Sequence, residues 1–139
     1  MRFLRLPLFV VCLLATAEAR ADSANVLGCK TATDPDRVIE FCTKVIKSGE
    51  IPGIDGAAPY FLRGEAYTDK GQYDQAIEDF DAALSLRAEM PVVLSDRCYA
   101  LNKKGSFAEA IESCSAALRR VPNYAAPYNN RCLARATLG

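Results

Sequence analysis

AAPYFLRGEAYTDKGQYDQAIEDFDAALSLRAEM (residues 57–90) is followed directly by PVVLSDRCYALNKKGSFAEAIESCSAALRRVPNY (residues 91–124), and the two stretches share one pattern. When the chain is aligned with itself at a spacing of 34 residues, four columns hold matching residues. They are Tyr60, Leu94 and Tyr128; Arg63, Arg97 and Arg131; Gly64, Cys98 and Cys132; and Gly71, Gly105 and Gly139. A fixed period of this length is typical of stacked helical repeats, in which each unit buries its apolar face against its neighbours.

Each stretch contains two amphipathic helices. Residues 58–70 and 92–104 carry apolar residues at helical spacing, and each run is followed by a glycine suited to the left-handed residue that ends a helix. Residues 73–86 and 107–120 carry apolar stripes spaced i, i+3, i+4, i+7. The small residues Gly64, Ala76 and Ala83 predict that the two helices of a pair approach closely. The chain is therefore expected to be all-α.

The columns resemble the tetratricopeptide repeat, whose pattern places a large residue first, then leucine-glycine and tyrosine, and later alanine, phenylalanine and proline. Residues 57–90 fill these places with Tyr60, Gly64, Tyr67, Ala76, Phe80 and Ala83, and residues 91–124 with Leu94, Cys98, Leu101, Ala110, Cys114, Ala117 and Pro122. Two departures are Arg63 and Arg97 in the leucine place and Ala88 in place of the first closing proline. The resemblance implies a right-handed superhelical array of antiparallel helix pairs.

Partial units are expected on both sides of the two full repeats. Within residues 22–56, an apolar pattern aligns with the second helix of the clear repeat; its members are Val38, Ile39, Cys42, Val45 and Ile46. This segment therefore resembles a half-repeat whose first helix has shortened. Residues 125–139 supply one helix of a third repeat.

Residues 1–21 have the features of a secretory signal peptide. Arg2 and Arg5 form a basic start, residues 6–15 are almost wholly apolar but too short to span a bilayer, and Ala19 and Ala21 form a small-x-small cleavage pattern. Cleavage is expected after Ala21, with cleavage after Ala19 as the near alternative. The expected location is therefore periplasmic or secreted.

Two other interpretations of the N-terminus remain open. It could be a buried helix, although the order basic, apolar, small is the one that export requires. Residues 26–29, Val-Leu-Gly-Cys, resemble a lipobox whose Cys29 would be acylated, but they lie beyond the apolar run and past Glu18 and Asp22.

The charge balance excludes several partners. The chain has 17 basic and 17 acidic side chains, and removal of the signal peptide leaves a slight acidic excess. No run of basic residues exists, so neither nucleic acid nor, after signal removal, a membrane surface is expected as a partner.

Five cysteines remain after signal removal, and export makes nearby pairs candidates for disulfides. A bond between Cys29 and Cys42 would link the short leader to the helix of the N-terminal half-repeat. Cys98 and Cys114 lie on facing helices of one pair, where they could also be ordinary buried residues. Cys132 has no matching partner and is expected to be free. Its surroundings on residues 125–139 include exposed apolar residues, so a weak homodimer through this helix is expected.

No catalytic site is evident in the sequence. The chain contains no histidine, which removes the usual general base and zinc nitrogen ligand. No Cys-x-x-Cys, phosphate loop or G-x-S-x-G occurs. We therefore expect no enzyme, no metal site and no cofactor.

The resemblance implies a partner-binding groove lined by the first helix of each pair. Its residues are Phe61, Leu62, Glu65, Asp69, Ser95, Asp96, Tyr99, Lys103, Asn129, Asn130 and Leu133. Chaperone-docking members of the family clamp a terminal carboxylate with lysine, asparagine and arginine at such places. Phe61 and Glu65 stand where the first lysine and asparagine would be, so that function does not transfer. Phe61, Leu62 and Leu133 could instead be partly buried between helices and bind nothing.

The expected function is a non-catalytic protein–protein interaction module or scaffold that holds a peptide or protein segment in this groove. Two alternatives remain: a thiol-dependent redox or hydrolytic enzyme, and a shortened repeat protein that lacks its own partner site.

Overall fold

The computed structural model describes residues 23–49 and 56–139, and these residues form helices without any strand. The helix α1 covers residues 23–31, and six longer helices follow it. They are α2 (Pro35–Ser48), α3 (Ala58–Asp69), α4 (Tyr73–Leu86), α5 (Pro91–Lys104), α6 (Phe107–Arg120) and α7 (Ala125–Leu138). The expected signal peptide lies outside the described residues.

Consecutive helices pack against each other along the whole array. The pairs α3–α4 and α5–α6 form the two full repeats, while α2 packs on α3 and α7 packs on α6 and α5. This arrangement confirms the predicted all-α solenoid of helix pairs. Within the described part, no helix is long and apolar enough to cross a membrane.

The glycine at the end of each first helix sets the turn between the two helices of a repeat. Gly71 and Gly105 have φ values of 72° and 91°, the left-handed conformation that glycine tolerates best. The next residues donate their amides back into the helix, Gln72 to the carbonyl of Tyr67 and Ser106 to that of Leu101, each at 2.9 Å. These bonds satisfy carbonyls that the helix end would leave without partners. The turn then returns the chain antiparallel at the same point of each repeat.

One pair of facing positions determines how closely the two helices of a repeat approach. In the first repeat, Gly64 of α3 faces Phe80 of α4, and a Cβ on Gly64 would lie 2.7 Å from the Phe80 ring. In the second repeat, the equivalent residues Cys98 and Cys114 have their sulfur atoms 2.07 Å apart. Phe80, Cys98 and Cys114 are all completely buried. A small residue on the first helix is therefore required in both repeats.

The unusual arginine column connects neighbouring helices. Arg63 donates to both carboxylate oxygens of Asp79 at 2.7 and 2.8 Å and to the hydroxyl of Thr43 on α2 at 2.9 Å. It thereby joins the full repeat to the preceding helix. Asp79 is only 5% exposed. Asp79 can be buried in α4 because Arg63 supplies a partner for its carboxylate.

The other two arginines contact the preceding repeat. Arg97 lies 2.6 Å from an oxygen of Asp81 on α4. Arg131 donates to the hydroxyl of Ser115 on α6 at 3.3 Å. Each arginine of the column therefore makes a polar contact between helices, with α4 of its own repeat and α2 for Arg63 and with the preceding repeat for Arg97 and Arg131.

We predict that Gly64→Leu destabilises the protein by about 2 kcal/mol or more, because the new side chain overpacks against the buried Phe80 ring. This loss outweighs the gain of about 1 kcal/mol from replacing a helical glycine. Urea unfolding measures it. Gly56→Ala is the control, since its Cβ would find its nearest neighbour, a Leu86 methyl carbon, at 3.9 Å. Equal stability of the Gly64→Leu variant and the wild type would contradict the packing described here.

We predict that Arg63→Met costs about 3 kcal/mol, because it leaves the buried Asp79 carboxylate without its cation. Arg97→Met removes the equivalent arginine, but its partner Asp81 has a half-exposed side chain. That variant should lose less than about 1 kcal/mol. Thermal or urea unfolding gives the loss in free energy of unfolding for each variant. Similar losses would mean that the burial of Asp79 does not determine how much Arg63 contributes to stability.

Candidate functional site

A cavity of about 360 Å³ opens on the face where the first helices of the repeats lie side by side. Three of its sides come from α1, α3 and α5, and α2 and α4 contribute the rest. Its lining residues are Cys29, Lys30, Ala32, Thr33, Pro35, Val38, Leu62, Glu65, Ala66, Thr68, Asp69, Phe80, Asp96 and Tyr99. The cavity is thus the N-terminal end of the expected groove, closed on one side by α1.

The α1 side of the cavity is held in place by a disulfide and by close packing. The sulfur atoms of Cys29 and Cys42 lie 2.05 Å apart, and both residues are buried. Together with Val45 they form a small core against which Leu62 of α3 packs. Gly28 of α1 is so close to the Phe41 ring of α2 that a Cβ would lie 2.6 Å from it. These contacts fix Lys30 and the turn after it beside α3.

Three carboxyl groups, those of Glu65 and Asp69 on α3 and Asp96 on α5, line the cavity. Glu65 and Asp69 are exposed and Asp96 is half-buried. Although the Glu65 residue as a whole is exposed, its carboxyl group is partly shielded from water at the cavity, which raises its pKa to about 7, and the nearby charges of Asp96 and Asp69 add to this effect. Burial raises the pKa of Asp96 to about 6. Neither Glu65 nor Asp96 forms a salt bridge within the described residues, and the three carboxyl groups outnumber Lys30, the one cation among the lining residues.

The apolar part of the cavity lies next to these carboxyl groups. Leu62, Ala66 and Val38 contribute aliphatic surface, and Phe80 closes the interior end. Tyr99 is 38% exposed at the edge, with Lys103 Nζ 5.3 Å from the centre of its ring. The site therefore offers an apolar surface, an aromatic edge and acidic groups to one ligand.

The structure brings together five of the residues that the sequence placed in a groove. They are Leu62, Glu65, Asp69, Asp96 and Tyr99. Ser95 is only 2% exposed and is not among the residues that line the cavity, so it does not present its side chain to a ligand there. Phe61 is half-buried and packs 6.3 Å from Phe80, between ring centres.

The remaining expected groove residues lie outside the cavity. Lys103 is exposed beside Tyr99. On α7, Asn129 is exposed, and Asn130 uses its carbonyl to accept a 2.8 Å hydrogen bond from the Asn102 amide. Leu133 is 58% exposed and is not part of the cavity lining.

Sequence reasoning missed the contribution of α1 and of the turn that follows it. Lys30, Ala32 and Thr33 line the cavity, yet they belong to a segment without a clear repeat pattern. The expected Cys29–Cys42 link was the available indication, because it places this segment beside the first full repeat. No periodicity could show which face of α1 points inward.

Neither metal binding nor thiol chemistry finds support in the described part of the chain. No three metal-binding side chains there lie close enough together to hold a metal ion. The free Cys132 is exposed on α7 and is not a lining residue of the cavity.

Residues 57–89 match the family model of the tetratricopeptide repeat. These residues are the first full repeat, α3 and α4. Among curated protein sequences, none matches the chain.

Several solved structures share the fold. The second tetratricopeptide repeat domain of human RPAP3, in complex with the HSP70 peptide SGPTIEEVD, is 20% identical with a TM-score of 0.71, over 86% of this chain and 97% of that one. The first such domain of Spaghetti (RPAP3), bound to the HSP90 peptide SRMEEVD, is 18% identical with a TM-score of 0.72, over 86% and 91%. The crystal structure of MamA is 19% identical with a TM-score of 0.78, over 91% and 73%. The fold of this chain is therefore that of a tetratricopeptide repeat domain.

Proposed function

We propose that this protein is a non-catalytic interaction module that binds an extended segment of a partner protein in the cavity between α1, α3 and α5. The observation that carries the proposal is the cavity itself, in which apolar, aromatic and acidic groups from separate helices meet. A repeat array positions such groups on rigid helices, which suits recognition. Peptides bound to two proteins of the same fold support this type of ligand.

The partner should differ from the peptides in those two structures. Both peptides end in Glu-Glu-Val-Asp and carry several acidic groups. In this chain Glu65, Asp69 and Asp96 occupy the cavity, and like charges would repel such an end. Phe61 and Glu65 also replace the lysine and asparagine expected of a carboxylate clamp.

A thiol-dependent enzyme is the less favoured function. Cys132 stands outside the cavity, and the chain has no histidine to generate a thiolate. The other cysteines of the described part are joined in pairs. A shortened repeat protein without its own partner site is disfavoured by the presence of the cavity.

We predict that a random heptapeptide library selected on the purified protein yields peptides whose binding depends on Tyr99. Tyr99→Ala should weaken them about ten-fold, because an exposed aromatic edge contributes a large contact area. Tyr128→Ala is the matched control, since Tyr128 is also exposed but lies on α7. Selected peptides that bind both variants equally would place binding elsewhere, and the absence of any binder would contradict the proposed function.

We further propose that the protein is exported to an oxidising compartment, the periplasm or the exterior. The signal-like residues 1–21 and the two cysteine pairs at bonding distance support this location. We predict that the exported protein begins at Asp22 and that non-reducing peptide mapping finds Cys29–Cys42 and Cys98–Cys114. An uncleaved protein with all thiols reduced would contradict export.

A weak homodimer through α7 remains part of the proposal. Leu133 and Leu138 are each 58% exposed on this helix, and the free Cys132 lies beside them. We predict reversible dimers in sedimentation of the reduced protein, together with covalent dimers after oxidation that disappear in Cys132→Ser. A strict monomer at high micromolar concentration, oxidised or reduced, would remove the dimer.

A further inference from the structure

We infer that the segment bound in the cavity presents a lysine or arginine side chain, whose positive head lies among Glu65, Asp69 and Asp96. This inference rests on the proposed function and specifies the chemistry of the ligand. It depends on three features of the cavity: its uncompensated charge, its apolar stretch and the way its carboxyl groups are spread.

The charge of the cavity is the first feature. Three carboxyl groups line it, and Lys30 is the single cation among the lining residues. Two lysines on the helices around the cavity pair elsewhere, Lys70 with Asp36 and Lys104 with Asp74 at 2.7 Å. Lys103 is not a lining residue, and it lies over the Tyr99 ring at the edge of the cavity. A cation from a partner would therefore supply the charge that this chain does not.

The apolar stretch beside the acids is the second feature. Leu62, Ala66 and Val38 form aliphatic surface next to the carboxyl groups. Lysine and arginine are the side chains that combine a long aliphatic stem with a charged head, so one of them can contact both parts at once. The Tyr99 ring, which is 38% exposed, adds an aromatic surface that such a side chain can contact.

The spread of the carboxyl groups is the third feature. They come from two helices: Glu65 and Asp69 lie one turn apart on α3, and Asp96 lies on α5. A guanidinium or ammonium group with several N–H donors spans a wider set of acceptors than a metal ion does. The arrangement therefore fits an organic cation.

The same geometry makes binding dependent on pH. The charged or titratable groups that face Glu65 and Asp96 are Lys30 from α1, Asp69 from α3 and Tyr99 with its neighbour Lys103 from α5; α2 and α4 contribute only Pro35, Val38 and Phe80. Because the pKa of Glu65 is about 7 and that of Asp96 about 6, both carboxyls lose their charge as the pH falls below these values. A cation should therefore bind more weakly in acid, and a bound cation should lower both pKa values.

The test uses one of the peptides selected on the purified protein, in three forms. The first carries its lysine or arginine, the second has norleucine at that position, and the third has glutamate. At about pH 8 the cationic form should bind at least about ten-fold more tightly than the norleucine form, and this advantage should become several-fold smaller at about pH 5. Glu65→Gln combined with Asp96→Asn should reduce the advantage in the same way, whereas Glu112→Gln, on the exposed surface of α6, should preserve it.

The outcomes separate this inference from the proposed function. Peptides that bind through Tyr99 but tolerate norleucine overturn the cationic ligand and leave the groove intact. If no peptide depends on Tyr99, both proposals fail.

Spermidine, used as a competitor, distinguishes a free polyamine from a side chain: displacement of the peptide at equal concentration would assign the cavity to the polyamine and overturn the peptide ligand. Carboxyl chemical shifts of Glu65, followed by NMR with and without peptide, should show its pKa falling, and an unchanged pKa would overturn direct contact.

Discussion

The close approach of the two helices in each pair is the constraint on which the rest of this structure depends. At one position the first helix must carry a small residue, and the second helix fills the space with something larger or forms a covalent bond to it. Gly64 against Phe80 and Cys98 against Cys114 are two solutions of the same packing problem. A larger side chain would separate the two helices and displace the following helices relative to the preceding ones, because each unit of an array is positioned only by its neighbours.

A second contact of this kind attaches the N-terminal unit, whose short first helix buries little surface. Cys42 corresponds in the repeat register to Cys114 and Phe80, and Cys29 of α1 meets it there through a sulfur–sulfur bond. A helix of nine residues is too short to be stable alone, so the link and the packing of Gly28 on the Phe41 ring determine its position. The cavity depends on this attachment, since α1 forms one of its sides.

The charged groups of the chain are used in two different ways. Arg63 and Asp79 satisfy each other with two hydrogen bonds, so a charge pair that is costly to bury joins α3 to α4 and, through Thr43, to α2. Glu65 and Asp96 have no such partner in the described residues, and their raised pKa values show that this arrangement disfavours their charged forms. Between the ordinary pKa of a carboxyl group and these raised values, rising pH therefore costs the folded state stability. A site that lowers the stability of its own protein at neutral pH is consistent with a role in binding.

The sequence by itself determined the helices of the repeats, their order and the pairing of neighbours. The period of 34 residues and the apolar stripes that indicate them are set by residues within each repeat. It also indicated that Cys98 and Cys114 face each other, since they lie on the two antiparallel helices of one repeat. Only the tertiary structure decided that Asp79 is buried, that Ser95 belongs to the interior and that Lys30 lines the cavity. These facts depend on how far neighbouring helices rotate and approach, and that is set by side chains distant in sequence, not by the periodicity of any one helix.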